Sequence, residues 1–165
     1  MEGYLRSAGI VLVLLVLQTT FIPYLSISGY LPDIFLAWIV YVALRKGQIE
    51  ATVQGFAIGC LQDVTTTKFL GLAALAKTIC AFIAGYFFNE NTTEQTLGSF
   101  RYIMIILLCS FVHNLIYFTV FFQGIEGSLL SQVVQFSVAT TLYTGFVSLL
   151  PMFAFSQRST TSWAQ

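Results

Sequence analysis

Four ionisable side chains stand inside or at the ends of apolar runs: Asp33, Asp63, Lys77 and His113. A charge in such surroundings is costly unless it is paired, reaches water or does something useful. Asp33 opens the stretch PDIFLAWIVYVALRKG, and Asp63 ends an apolar run in GCLQDVTTTKFLGL. Lys77 follows Phe69 by eight residues, which on a helix places it about 12 Å into its own run. Such groups could fix helix register as an ion pair, bind a ligand or contact a partner, or take part in catalysis. Asp63 is the candidate partner for Lys77, because the runs that carry them form a hairpin. His113 and Asn114 lie in the middle of a later run, with Gln132 and Gln135 in the run after it, and interhelical hydrogen bonds are expected between them.

Catalytic patterns are missing. No HExxH, GxSxG or P-loop is present. There is one histidine, and Cys60, Cys80 and Cys109 show no CxxC or metal-ligand spacing, so they read as small buried hydrophobes. No metal or cofactor is expected. An intramembrane enzyme centred on His113 would need a second group at the same depth, and Ser110, Asn114 and Gln135 make no recognised motif with it.

The elements that must position these groups are set by composition. Hydrophobic residues make up 57% of the 165 residues and charged residues 8%, against about 25% charged in a soluble domain. Mean hydropathy is +0.83. This is an integral membrane protein in one domain, residues 1–165. Basic and acidic residues number 7 each, and no basic patch suits nucleic acid. The run after Arg6 lacks a small-x-small cleavage site and reads as a first transmembrane helix that stays. Six spans are expected, over about 7–25, 32–45, 51–63, 69–88, 102–122 and 128–155. NENTTEQT at 89–96 is the clearest loop.

The second span is short. Ile34–Leu44 gives eleven apolar residues, too few for a lone crossing, so it needs neighbours in a compact bundle. Pro32 suits the first helical turn, and Asp33 there faces the positive end of the helix dipole. Arg6, Arg45, Lys46, Arg101 and Arg158 fall on one side and Lys68 on the other. The bias predicts both termini in the cytoplasm, with Asp33, Asp63 and Glu126 at the external side. Gly55 and Gly59 form a GxxxG that lets helices approach closely, as do Ala81 and Gly85 in the next span. These glycines read as packing seams within the fold.

Residues 32–87 resemble the core of the MreD family of bacterial rod shape-determining proteins. The resemblance rests on Pro32-Asp33 opening a short apolar helix, then Gly47, the glycine-bearing helix with Gly55 and Gly59 ending at Asp63, and Gly71-Leu72 before an alanine-rich helix with Ala74 and Ala76. The loop VTTTKF departs from the glycine, serine or proline usual there. The resemblance implies an all-α, six-helix transmembrane bundle similar to the substrate-binding subunits of energy-coupling-factor transporters. It implies a non-enzymatic subunit of the cell-elongation machinery in the bacterial inner membrane, supporting rod shape and lateral peptidoglycan synthesis. Its partners would be an MreC-like bitopic protein, an MreB-like filament protein, a RodA-type glycosyltransferase and a class B penicillin-binding protein. Docking of the MreC-like helix on the small-residue faces is the expectation drawn from these residues. Asp33 and Asp63 carry over from the family motif, and Lys77 is added from its depth alone. The competing reading is a substrate-binding subunit of a vitamin or metal transporter, with an outward pocket near the TTTKF loop and Glu126.

Overall fold

The computed structural model describes residues 2–26, 29–66, 70–122 and 129–150. All described regular structure is helical: α1 (Glu2–Val16), α2 (Ile34–Lys46), α3 (Gln48–Thr66), α4 (Leu72–Gly85), α5 (Thr93–Leu97), α6 (Phe100–Phe121) and α7 (Leu129–Val147). The QGIEG turn, Lys68, Glu126, Pro151, Arg158 and the polar tail lie outside the described residues.

The first apolar stretch does not keep one helical geometry. It widens to a π turn over Leu17–Phe21 and tightens to a 3-10 turn over Ile22–Leu25. Pro23 explains the change. It has no N–H to give the ladder, and its ring collides with the carbonyl of residue 19 in a regular α-helix. The Ile22 N–H reaches back to the Leu17 carbonyl instead. Along α1, Leu12, Val13 and Val16 are 59%, 61% and 56% exposed. A helix so apolar and so bare suits a hydrocarbon surrounding rather than water. Among the described residues, Ser7–Leu25 and Phe100–Phe121 are the two stretches long and apolar enough to cross a membrane.

The short helix α2 is the hub. Phe35, Leu36, Ile39, Val40, Val42, Ala43 and Leu44 are each at most 1% exposed. It packs on α1, α3, α4, α5, α6 and α7. Its length therefore matches a buried role, with other helices against most of its surface. Gly47 ends it at φ 90°, a left-handed value that side chains avoid, and α3 begins at the next residue. The chain reverses in one residue.

Helices α3 and α4 make the closest pairing. A Cβ on Gly59 would lie 2.3 Å from the Ala74 Cα, and one on Gly55 would lie 2.9 Å from the Ala81 Cβ. At the other end, a Cβ on Gly85 would lie 2.5 Å from the Gln48 Cα. The small-residue faces of the two helices are thus spent on each other. That corrects the expectation that they dock a partner's helix: the seam is filled within the chain.

Helix α7 is inverted relative to a helix of a soluble protein. Ser137, Thr140, Thr141, Thr144 and Ser148 are buried. Leu130, Val134, Val138, Leu142, Phe146 and Leu150, spaced every four residues, are exposed. Polar groups inside and apolar groups outside is the pattern a lipid solvent selects. Tyr143 ties this helix to the end of the first stretch, its hydroxyl donating to the Leu25 carbonyl at 2.7 Å. The stretch 89–96, expected as loop, contains the start of α5. Leu97 of that helix is buried, and Thr93 Oγ1 donates to the Leu44 carbonyl at 3.0 Å, so α5 folds over the end of α2.

A buried polar seam as the candidate functional site

The site begins at the N-terminus of α2. The first N–H groups of a helix have no partners within it. Here the first three are met by side chains. The Asp33 N–H donates to Thr144 Oγ1 at 3.1 Å, the Ile34 N–H to Gln18 Oε1 at 3.2 Å and the Phe35 N–H to Asp33 Oδ1 at 3.0 Å. Gln18 also donates through Nε2 to the Pro32 carbonyl at 3.0 Å. Asp33 is therefore an N-cap, and its cap is braced by the first stretch and by α7. Pro32 is buried beside it.

The second oxygen of the same carboxylate takes Lys77. Lys77 Nζ donates to Asp33 Oδ2, with the lysine side chain fully buried. The ammonium also lies 5.9 Å from the centroid of the Phe35 ring, within cation–π range. His113 Nε2 is 3.7 Å from the same Asp33 oxygen, near enough to feel its charge and too far for a hydrogen bond. His113 Nδ1 makes no hydrogen bond of ordinary geometry among the described residues. Its ring stacks on Tyr117 at 6.0 Å.

This pairing differs from the one expected. Lys77 takes Asp33, which opens α2, and not Asp63 from the adjoining helix. Asp63 is occupied by backbone. Its Oδ2 accepts from the N–H groups of Gly71 and Ala74, and its Oδ1 from that of Ala73, each at 3.0 Å. The reason lies in Gly71. It is the N-cap residue of α4, at φ 94°, and has no side chain with which to cap. A carboxylate from α3 does that work, close to the positive end of the α4 dipole. Asp63 also sits inside α3, which continues to Thr66, rather than at its end.

The polar seam continues along α6 and α7. Asn114 Nδ2 donates to Ser110 Oγ at 3.3 Å and to Thr141 Oγ1 at 3.1 Å. Gln135, expected to meet Asn114, is exposed. It lies two residues from the buried Val133, which on a helix turns it to the opposite face. The hydroxyl stripe of α7 was missed in the sequence. Its signal is the three- and four-residue spacing of Ser137, Thr140, Thr141, Thr144 and Ser148, which window-averaged hydropathy conceals. Cys80 and Cys109 sit where α4 meets α6, and Cys80 Sγ approaches the Cys109 carbonyl at 3.0 Å.

Chemically, the arrangement is a closed one. Asp33, Lys77 and His113 are 7%, 0% and 5% exposed, so no soluble substrate reaches them. Each carboxylate is committed to a helix N-terminus. No group of three or more His, Cys, Asp or Glu side chains among the described residues could hold a metal ion. What the seam can do is join α2, α4, α6 and α7 in one register.

These features define an all-α, membrane-associated protein with a polar interior and apolar flanks. A family model described as rod shape-determining protein MreD matches residues 4–157, nearly the whole chain. The chain belongs to the MreD family. Its role is accordingly non-enzymatic and membrane-associated, within bacterial cell elongation. No curated protein and no solved structure matches the chain.

Proposed function

We propose that the chain is the multi-pass scaffold of the elongation complex, crossing the inner membrane six times with both termini in the cytoplasm. In this reading it binds an MreC-like bitopic protein and, with it, organises a RodA-type glycosyltransferase, a class B penicillin-binding protein and an MreB-like filament. The observation that carries the proposal is the family match over residues 4–157. The inverted polarity of α7 and the bare face of α1 support it, since both call for lipid or another helix outside.

The α3–α4 seam is filled, so the partner's helix must use another surface. Beside α1 runs an apolar groove of about 370 Å³, bounded by Leu14, Leu17, Trp38 and Val147. The exposed face of α1 continues it. This surface is the docking site we assign to the MreC-like helix. Asp33, Lys77, Asp63, Gly55, Gly59, Gly71 and Pro32 act behind it, as residues that hold the bundle in shape.

The test is depletion of the protein in its bacterial host. Cells should lose rod shape and round up, and re-expression should restore them. Rods that elongate normally without the protein would sink the proposal.

A further inference from the structure

At the end of the bundle that carries Arg45 and Lys46, a second groove of about 610 Å³ opens between the turn after α4 and the starts of α5 and α6. Its polar wall holds Arg101, Asn89, Thr92 and Thr96. Its apolar wall holds Phe87, Phe100 and Met104. Phe100 and Met104 stand one helical turn apart on α6 and are 77% and 66% exposed. The groove thus sets a cation with amide and hydroxyl groups beside bare hydrocarbon.

Arg101 is the one charged residue that lines the groove, and Glu90, exposed in the turn after α4, does not line it. Arg45 pairs with Glu94 at 3.4 Å and Lys46 with Glu50 at 2.6 Å. No carboxylate among the described residues pairs with Arg101. A groove with one unmatched cation at its polar end favours an occupant with net negative charge. The adjoining apolar wall favours one with a hydrocarbon chain. We propose that this groove seats an anionic phospholipid, its phosphate on Arg101 and an acyl chain along Phe100 and Met104. The inference rests on the multi-pass reading, which puts this end of the bundle at a membrane surface.

The experiment is native mass spectrometry of the full-length protein in mild detergent, titrated with phosphatidylglycerol or with phosphatidylcholine of the same acyl chains. The wild type should retain phosphatidylglycerol about fivefold better, the worth of one arginine near a membrane surface. Arg101→Gln should abolish that preference, Arg101→Lys should keep it, and Arg45→Gln should leave it unchanged. Equal retention of the two lipids by the wild type, or an Arg101→Gln variant that still discriminates, would overturn the proposal. So would displacement of the lipid by millimolar inorganic phosphate, which would mark a site for the free anion. Extraction of the protein from membranes by alkaline wash without detergent would instead refute the multi-pass reading beneath it.

Discussion

Lys77 of α4 and Asp33 at the head of α2 meet across 44 residues of sequence, and the pair is sealed from solvent. One carboxylate therefore caps a helix with one oxygen and holds a neighbouring helix with the other. Loss of either partner leaves a buried charge without its counterpart. Lys77→Met and Asp33→Asn should each destabilise the bundle by about 3–5 kcal/mol. The double variant should be more stable than either single one, because both charges go and asparagine still caps. Thermal unfolding in detergent, followed by size-exclusion chromatography, measures this. Additive losses in the double variant would show that the two residues act independently.

Asp63 tests a different role. It accepts three backbone N–H groups and pairs with no cation among the described residues. Asp63→Ala should cost about 1–3 kcal/mol by stranding buried donors. Asp63→Asn should recover only part of that loss, since one of its two terminal groups can no longer accept. Protease resistance of the purified variants would rank them, and an alanine variant as resistant as the wild type would exclude the capping role.

The α3–α4 seam gives the sharpest steric contrast. Gly59→Ala would drive a methyl to within 2.3 Å of backbone that cannot move aside, whereas Gly9 has nothing within 4 Å. Gly59→Ala should cost about 1–3 kcal/mol, as overpacking does, and Gly9→Ala should be near neutral. Folded yield by fluorescence-detected size exclusion separates the two. Equal yields would mean that α3 and α4 do not pack this closely.

Topology can be read with single cysteines and a membrane-impermeant maleimide. Cys60, Cys80 and Cys109 are first replaced by alanine or serine. Leu70, 81% exposed, lies in the turn before α4, and Asn91 is exposed in the loop before α5. Leu70→Cys should label in intact spheroplasts, and Asn91→Cys only after the membrane is opened. The reverse pattern would invert the proposed orientation.

The sequence announced some of this and concealed the rest, for physical reasons. The eleven-residue run after Asp33 was too short to stand alone, and α2 is indeed the buried hub. GFAIG announced close packing, and the α3–α4 seam has it. The Lys77 partner was misjudged because nearness along a hairpin was taken for nearness in space. Asp63 is turned toward the α4 backbone, which needs a cap that Gly71 cannot give. The hydroxyls of α7 stayed hidden because averaging over both faces of an inverted helix cancels its pattern. Helix α5 was hidden by its polarity, with Leu97 as its one buried residue.

As a scaffold, the chain should hold its wall-building partners through extraction from the membrane. The most direct test is purification from native membranes in mild detergent, with mass spectrometry of everything retained. An MreC-like bitopic protein should be retained together with a RodA-type glycosyltransferase and a class B penicillin-binding protein. The bitopic protein should be lost when Leu14 and Leu17, which line the groove beside α1, are replaced by bulkier tryptophans. Recovery of ATPase subunits, or of a stoichiometric vitamin, would contradict the scaffold role and make the chain a transporter's binding subunit.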